Sequence, residues 1–504
     1  MTLMKVLATG RDDAVALIAP ATPALTFAGL RALVTETVQT LNRAGVGRND
    51  RVAIVLPNGP VMVAAFLGVA AGTASAPLNP GYRADEFEFY LSDLNAKALI
   101  AQAGVDSPAI AVAEKLKIPI IWLTPTPERG AGSFTLDTGA MPLSSAGPTF
   151  AEPDDIALVL HTSGTTSRPK IVPLAQKNIC ATARNVSTTL RLTPEDRGLA
   201  IMPLFHIHGL MAATLAPLSV GSSVFCSPGF NALKFFSWLE ESRANWYTAV
   251  PTMHQAILSR AGHNAAIIAA HKLRLIRSSS SSLPPQVFAE LEKTFGAPVI
   301  ESYGMTEAAH QMASNLLPPG ARKPGTVGVA AGPDVEIMSD DGKILPRGAT
   351  GEIVIRGDNV TSGYESNPKA NAEAFTNGWF RTGDQGAMDS DGYLSITGRL
   401  KEIINRGGEK ISPREVDEVL MDHPAVAQVV TFGIPHEKLG EEVGAIVVKR
   451  EGTAPTEREL RDFVATRLAD FKVPKKVIFM DEIPKGATGK LQRIGLAQKL
   501  GITA

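Results

Sequence analysis

The stretch that decides the fold is His161–Lys170, which reads HTSGTTSRPK and holds five hydroxyl side chains, one glycine and two cations. The apolar run Ile156–Leu160 before it predicts a buried strand, and residues 176–190 after it predict a helix. Small side chains let backbone N–H groups converge on an anion, and Arg168 and Lys170 add charge, so we expect a phosphate-binding loop. The spacing differs from GxxxxGK[ST], and a solvated polar surface loop is the alternative reading.

Composition restricts the class of protein. A chain of 504 residues is too long for one hydrophobic core, so we expect two or more domains. The net charge of −1 argues against a nucleic-acid partner. Cys180 and Cys226 lack a CxxC spacing, which favours neither a disulfide framework nor a zinc site. The apolar run Val61–Gly72 is shorter than the ~20 residues that span a bilayer, and the first residues lack a secretory pattern, so we expect a cytoplasmic protein.

The order of apolar segments predicts an α/β fold. Strand-like and helix-like segments alternate over about 1–160 and again over 161–320, which predicts two α/β subdomains. Short strands with Asp-Gly turns predict a small β subdomain over 321–398. We therefore expect a large N-terminal domain, 1–398, followed by a small α+β domain, 399–504.

Two helix starts are predicted inside the C-terminal domain. Ser412–Glu415 and Thr456–Glu459 both have a hydroxyl residue followed three positions later by glutamate, the pattern of a capping box. Pro413 suits the first helical position. We expect both hydroxyl side chains to cap a helix.

Five motifs follow one another along the chain. They are His161–Lys170, Tyr303–Glu307 (YGMTE), Trp379–Asp384 (WFRTGD), Gly398–Glu402 with Gly407–Lys410, and Pro484–Lys490 (PKGATGK). This ordered set resembles the adenylate-forming acyl-CoA synthetases, the family that includes acyl- and aryl-CoA ligases, luciferases and the adenylation domains of peptide synthetases. Two flanking positions depart from the family pattern, Ile171 in place of glycine and Gly486 in place of threonine; we expect altered loop mobility rather than lost chemistry.

The resemblance implies an enzyme that activates a carboxylic acid with ATP as an acyl-adenylate and transfers the acyl group to CoA, with Mg²⁺ held by Glu307. It implies catalytic roles for Lys490, Thr306, Glu307 and Lys170. Taken singly, Tyr303 could be a core residue, Glu307 a solvated loop charge and Lys490 one of many surface lysines. The residues implied to bind ATP or AMP are Thr162, Ser163, Gly164, Thr165, Thr166, Ser167, Lys170, Tyr303, Gly304, Met305, Thr306, Asp384, Arg399 and Lys490.

The resemblance further implies that the C-terminal domain is a mobile lid that rotates about a hinge at Lys401. In the second half-reaction Gly407 and Gly408 would let the backbone approach the CoA thiol closely. Lys410 would meet a CoA phosphate, although a solvated lysine explains it equally well.

The residues expected near the acyl group are polar, which favours a small polar acid over a long chain. A second substrate carboxylate buried without partners would cost several kcal/mol, and imidazole, hydroxyl and guanidinium groups would offset that cost. Residues 203–209, 248–255, 305–310 and 404–413 resemble the oxalate–CoA ligase branch, so oxalate is the first choice. The expected acid-binding residues are His206, His208, Arg277, Ser280 and His310.

Other readings stay open. Malonate, glycolate or a medium-chain fatty acid could be the substrate, or a carrier-protein thiol could replace CoA. Arg277 could be a structural ion-pair partner, and His254 fits a core histidine. A non-catalytic nucleotide binder is disfavoured, because four residues of the implied site occur together: Glu307, Asp384, Arg399 and Lys490.

Overall fold

The computed structural model describes residues 1–162, 169–484 and 493–502. Within these ranges the chain forms a nine-stranded sheet, a seven-stranded sheet and two five-stranded sheets, covered by helices. The predicted α/β class, with a large N-terminal part and a separate C-terminal domain, is confirmed.

The first elements alternate as predicted. The apolar run after Pro60 forms a helix that is buried almost throughout, since its neighbours cover every face. In chain order the elements are α1 Leu3–Leu7, β1 Val15–Ala19, β2 Thr22–Thr26, α2 Phe27–Arg43, β3 Arg51–Val55, α3 Pro60–Ala70, β4 Ala74–Pro77, α4 Ala84–Asp93, β5 Ala98–Gln102, α5 Pro108–Lys115, β6 Ile120–Pro125 and β7 Phe134–Asp137.

The second stretch holds most of the nine-stranded sheet. It contains a π-helical segment, His208–Leu215, a rare form that is frequent at functional sites. Its elements are β8 Ile156–Thr162, β9 Lys170–Ala175, α6 Gln176–Thr189, β10 Arg197–Ala200, α7 Ala216–Leu218, β11 Ser223–Cys226, α8 Phe235–Ser242, β12 Trp246–Ala249, α9 Pro251–Ala261, α10 Ala265–Ala270, β13 Leu275–Ser278, α11 Pro285–Phe295, β14 Val299–Met305, β15 His310–Ser314 and β16 Val329–Ala330.

The remaining elements build the two five-stranded sheets. The first sheet comprises β17 Asp334–Met338, β18 Thr350–Arg356, β19 Phe375–Thr376, β20 Trp379–Met388 and β21 Leu394–Arg399, with helix α12 at Pro368–Ala374. The second comprises β22 Ile404–Arg406, β23 Glu409–Ile411, β24 Val426–His436, β25 Gly440–Lys449 and β26 Lys476–Phe479, with helices α13 Pro413–Met421, α14 Glu457–Ala465 and α15 Leu496–Lys499.

The nine-stranded sheet positions the site. Its order is β16-β15-β14-β13-β12-β10-β11-β1-β2, and the run from β14 to β1 is parallel. In such sheets ligands bind beyond the carboxyl ends of the strands. The segments that follow β10, β13 and β14, at 201–208, 279–282 and 306–309, therefore emerge at one edge together with the last residues of β12.

Two local predictions need correction. The stretch 161–170 does not join a strand directly to a helix; β8 and β9 form an antiparallel pair, and α6 follows β9. The predicted cap by Ser412 is wrong, because its side chain accepts no N–H of the helix; the hydroxyl is turned toward the carbonyl oxygen of Thr397, to which it donates. The box at Thr456 is confirmed: its Oγ1 accepts from the Glu459 N–H at 3.1 Å, and the Glu459 carboxylate accepts from the Thr456 N–H at 3.4 Å.

The domain boundary placed at residues 398 and 399 stays a prediction. Strand β21 ends at Arg399, and the C-terminal sheet begins at Ile404. A hydrogen bond also joins residues on the two sides of this boundary: the Arg414 guanidinium donates to the Ile396 carbonyl oxygen at 2.6 Å.

Replacing Thr456 with alanine removes the acceptor for one N–H of the first turn of α14. We expect a loss of about 1 kcal/mol of stability for this helix. Amide hydrogen exchange over residues 457–465 in the full-length protein should show the loss, whereas Thr456→Ser keeps the oxygen and should exchange like the parent. Equal exchange rates for the alanine variant and the parent would contradict this role of the cap.

Candidate active site

The arms of the predicted phosphate loop are β8 and β9. Thr162 and Lys170 lie directly opposite each other at the open end of this pair. Next to Thr162, the His161 ring is held by the Asp93 carboxylate, with 3.0 Å between Nε2 and Oδ2. The predicted loop residues Ser163, Gly164, Thr165, Thr166 and Ser167 lie outside the described residues.

Glu307, the predicted metal ligand, is a buried carboxylate with a defined donor. It lies in a short 3₁₀ turn, Thr306–Ala308, directly after β14. The Tyr364 hydroxyl donates to its Oε1 at 2.8 Å. Burial raises the pKa of the Glu307 carboxyl, and the Tyr364 hydrogen bond together with the charges of Arg399 and Lys170 opposes that rise. The Lys170 ammonium lies 4.2 Å from the centre of the Tyr364 ring, so one tyrosine contacts both the predicted metal ligand and the predicted phosphate-binding lysine.

Tyr303, Asp384 and Arg399 form a second linked group. The Tyr303 hydroxyl donates to Oδ2 of Asp384, and the Arg399 guanidinium donates to Oδ1 at 3.0 Å. Asp384 and Arg399 face each other across the β20–β21 pair, which fixes this geometry. The Asp384 charge raises the pKa of the Arg399 guanidinium. The sequence motifs place these residues 81 and 15 positions apart, and the fold brings them into contact.

Gly304 joins the two halves of the site. It lies on β14 against β15, where a Cβ atom would stand 1.9 Å from the His310 carbonyl oxygen. Met305 is paired with His310 across the same turn. Only glycine fits at position 304. The strand pairing that it allows holds Met305, two residues before Glu307, at a fixed separation from the predicted acid-binding His310.

On the acid side, imidazole rings and hydroxyl groups converge. His208 and His310, both buried, stack with ring centres 4.9 Å apart. His208 Nδ1 lies 3.0 Å from the Ser280 hydroxyl, and its Nε2 lies 2.6 Å from the Thr248 hydroxyl. His206 is half-buried, and its Nδ1 accepts from the His208 N–H at 3.4 Å. All five groups lie at the carboxyl edge of the nine-stranded sheet.

Arg277 lies behind this cluster and is fully buried. Its guanidinium contacts His208 Nε2 at 3.4 Å, the Thr248 hydroxyl at 3.3 Å and the Gln311 amide oxygen at 3.3 Å. Among the described residues no carboxylate forms an ion pair with it, so the structure does not favour the reading of a structural ion-pair partner. His254, by contrast, bonds to the Tyr247 hydroxyl at 3.2 Å in the core, as expected for a packing residue.

The predicted CoA-binding glycines form a tight hairpin turn. Gly407 and Gly408 connect β22 to β23 with φ values of 59° and 98°, which glycine adopts without strain. Lys401 and Lys410 are both exposed. Lys490, the predicted adenylation catalyst, lies outside the described residues, as do its loop neighbours 485–489.

The sequence analysis did not single out four residues of this neighbourhood. Tyr364 and Gln311 are distant in the chain from the groups they bond, and Asp93 belongs to an ordinary helix pattern. Thr248 opens the segment 248–255, but nothing in that segment indicates its contact with His208. A single tyrosine, glutamine or threonine such as Tyr364, Gln311 or Thr248 does not form a recognisable sequence motif by itself. Only the β14–β15 turn offers a hint, since Gln311 directly follows His310.

The described residues also show which other kinds of site are absent from them. No group of three or more His, Cys, Asp or Glu side chains in the described part could form a metal cage. Cys180 and Cys226 are both buried thiols with no disulfide. None of the described helices is long and apolar enough to cross a membrane.

Comparison with known proteins identifies the family. Residues 5–365 match the family described as AMP-binding enzyme, and residues 415–490 match the AMP-binding enzyme C-terminal domain. The chain is 45% identical over 480 residues to an oxalate–CoA ligase of Arabidopsis thaliana, covering 94% of this chain and 93% of the relative. It is 43% identical over 460 residues to an oxalate–CoA ligase of Saccharomyces cerevisiae, covering 86% and 84%.

A solved structure agrees with the sequence relatives. ATP-bound MatB from Rhodopseudomonas palustris superposes with a TM-score of 0.89 at 30% identity, covering 99% of each chain. The fold, the ordered site residues and these matches define an enzyme of the adenylate-forming class. The chain belongs to the AMP-binding enzyme family, so the resemblance inferred from the motifs is confirmed. The roles of individual residues stay predictions.

Tyr364→Phe removes the hydroxyl that orients Glu307 and keeps the ring under Lys170. A hydrogen bond to a charged group contributes ~1.5–3 kcal/mol, so we expect kcat/KM for ATP to fall roughly 10- to 100-fold at limiting Mg²⁺. Acid-dependent pyrophosphate release measures this effect.

Tyr393→Phe is a matched control. Tyr393 also lies under a lysine, with Lys323 Nζ 4.2 Å from the ring centre, and its hydroxyl donates to the Ala321 carbonyl oxygen at 2.7 Å. This variant should keep the parent's kinetics. Equal kinetics for Tyr364→Phe and the parent would remove Tyr364 from the site.

Proposed function

We propose that the protein is an oxalate–CoA ligase that converts oxalate, ATP and CoA to oxalyl-CoA, AMP and pyrophosphate. The observation that supports this most is the cluster of His208, Ser280 and His310 at the end of the nine-stranded sheet, backed by the buried charge of Arg277. Such groups suit a small acid with a second carboxylate. The names of the two ligases with 45% and 43% identity point the same way.

In the first half-reaction an oxalate oxygen attacks the α-phosphorus of ATP, and the bond to pyrophosphate breaks. The 162–170 loop with Lys170 would hold the departing phosphates, and Thr306 would lie beside the α-phosphate. Tyr303, Asp384 and Arg399 would hold adenine and ribose. Lys490 would bridge the attacking carboxylate and the α-phosphate as a mobile point charge.

Magnesium is part of the proposal, and Glu307 would hold it. Mg²⁺ is commonly bound by one or two carboxylates plus substrate phosphates rather than by a protein cage. One buried carboxylate close to Lys170, without a larger ligand cluster among the described residues, fits that mode. When bound, the ion would neutralise charge on the phosphates.

In the second half-reaction the CoA thiol attacks the acyl carbon, the bond to AMP breaks, and the thiol proton leaves. Rotation of the C-terminal domain about Lys401 would replace Lys490 with the Gly407–Gly408 turn at the adenylate. Exposed Lys410 would meet a CoA phosphate. We also propose the cytoplasm as the compartment, which two buried unpaired thiols suit.

The proposal is tested by AMP release with ATP, Mg²⁺ and CoA against oxalate, malonate, glycolate, octanoate and 4-coumarate. We expect oxalate to give the highest kcat/KM, because donor groups converge where a second carboxylate would lie. Saturation by free CoA should hold without a carrier protein. A preference for octanoate or 4-coumarate would refute oxalate as the substrate while leaving the family unchanged.

Lys490→Ala should abolish acid-dependent pyrophosphate release and leave thioester formation from supplied oxalyl-AMP partly intact, because the lysine acts only in the first half-reaction. Quenched-flow assays of each half-reaction measure the difference. Lys485→Ala in the same loop is the matched control and should retain both steps. Equal loss of both steps in Lys490→Ala would disprove the assignment.

A further inference from the structure

Arg277 is a buried cation whose charge the described protein does not balance. Its side chain is fully buried, and its Nε has no hydrogen-bond partner in the described ranges. Its contacts are a histidine ring, a hydroxyl and an amide oxygen, from His208, Thr248 and Gln311. Burial lowers the pKa of Arg277 to about 9, which still leaves the guanidinium charged at neutral pH.

The contacts of Arg277 fix the direction of the hydrogen bonds around His208. A guanidinium can only donate, so the His208 Nε2 at 3.4 Å must be an acceptor. The Thr248 hydroxyl accepts from Arg277 at 3.3 Å and therefore donates to the same Nε2 at 2.6 Å. Because two donors point at Nε2, this nitrogen carries no proton. A doubly protonated ring would also place a second positive charge next to the guanidinium, so the His208 ring is neutral.

The proton of the neutral His208 ring must then lie on Nδ1. This N–H donates to the Ser280 hydroxyl oxygen at 3.0 Å. A hydroxyl that accepts from the ring keeps its own single proton for another acceptor. Ser280 is half-buried, and its hydroxyl contacts the His208 ring that stacks on His310, so its proton is available to a ligand at this pair of rings.

Backbone geometry fixes the position of Ser280, the last residue in the series of hydrogen bonds that starts at Arg277. Ser280 has φ 74°, and Ala309 and His310 have φ values of 47° and 115°, conformations that residues other than glycine rarely adopt. Such strain persists where the surrounding structure over-determines it, and it concentrates at ligand sites. Two of these three residues, Ser280 and His310, belong to the cluster itself, and Ala309 directly precedes His310.

We propose that Arg277 is a positioning residue that sets acid selectivity: acting through Thr248 and His208, it makes the Ser280 hydroxyl a fixed donor for the second carboxylate of a small diacid. The inference rests on the proposed function and adds the origin of its specificity. A carboxylate is an acceptor only, so it satisfies this donor, whereas an alkyl group leaves the donor unpaired.

The test compares KM and kcat for oxalate in Arg277→Met, which keeps the bulk and removes the donors. We expect KM to rise at least about tenfold, the cost of one mispositioned hydrogen bond to a charged group, with kcat within about threefold of the parent. Arg277→Lys keeps a charge and should recover part of the affinity. A purely structural arginine would lower the amount of folded protein without this split between KM and kcat.

A double variant tests whether Arg277 acts on oxalate binding through Ser280. Because Arg277 acts through Ser280, adding Arg277→Met to Ser280→Ala should change the KM for oxalate by less than about threefold. Thr248→Val removes the hydroxyl that links Arg277 to His208 but leaves the guanidinium charge in place. This variant should raise the KM for oxalate as Arg277→Met does. Independent, multiplying effects of Arg277→Met and Ser280→Ala would overturn the proposal.

Arg274→Met is the matched control, because this arginine precedes the same strand and pairs with Asp196 at 2.8 Å. It should lower the melting temperature and leave the KM for oxalate unchanged. If the parent turns over oxalate and KM is unchanged in folded Arg277→Met, the role of Arg277 is refuted and the proposed function stands. If the parent does not turn over oxalate, the proposed function itself fails.

Discussion

The site depends on one steric constraint, the contact between Gly304 and the backbone of His310. A side chain at Gly304 would collide with the His310 carbonyl oxygen, so the β14–β15 turn can close only with glycine at that position. This turn carries Tyr303 and Glu307 toward the predicted nucleotide side and His310 toward the predicted acid side. The reacting carboxylate and the α-phosphate must meet within about 3–3.5 Å, and a rigid turn between their binding groups provides such precision.

The two sides of the turn differ in the sign of their buried charge. On the nucleotide side, Glu307 and Asp384 each take a hydrogen bond from a tyrosine hydroxyl, which orients a carboxylate without cancelling its charge. On the acid side, the buried charge is the guanidinium of Arg277. Arg399 pairs with Asp384, so Glu307 is the carboxylate of this side that would hold Mg²⁺. A substrate carboxylate would instead lie on the side of Arg277.

Much of this arrangement was predictable from the sequence, and the exceptions have physical reasons. Buried strands and the α3 helix followed from their apolar runs, and the site motifs followed from ordered local strings. Strand β9 was missed because it is an edge strand that contains Pro173, which does not read as a sheet residue. Ser412 does not cap the helix because its side chain is turned toward the Thr397 carbonyl on β21, a contact that only the fold creates. Tyr364 and Thr248 were missed because their partners are brought to them only by the fold.

The buried guanidinium shows why substrate choice is harder to predict than family. Removing a partner from a buried ion pair is costly, and apolar residues of similar volume are often more stable than buried charges. A fold selected for stability alone would therefore not bury Arg277 without an ion pair to a described carboxylate. Its position is understandable if Arg277 serves the ligand through Thr248 and His208, because the cost of burying the guanidinium is then offset by the hydrogen bond from Ser280 to the bound diacid. In this view the specificity depends on a strand residue, a hydroxyl and a ring tautomer, and none of these forms a motif.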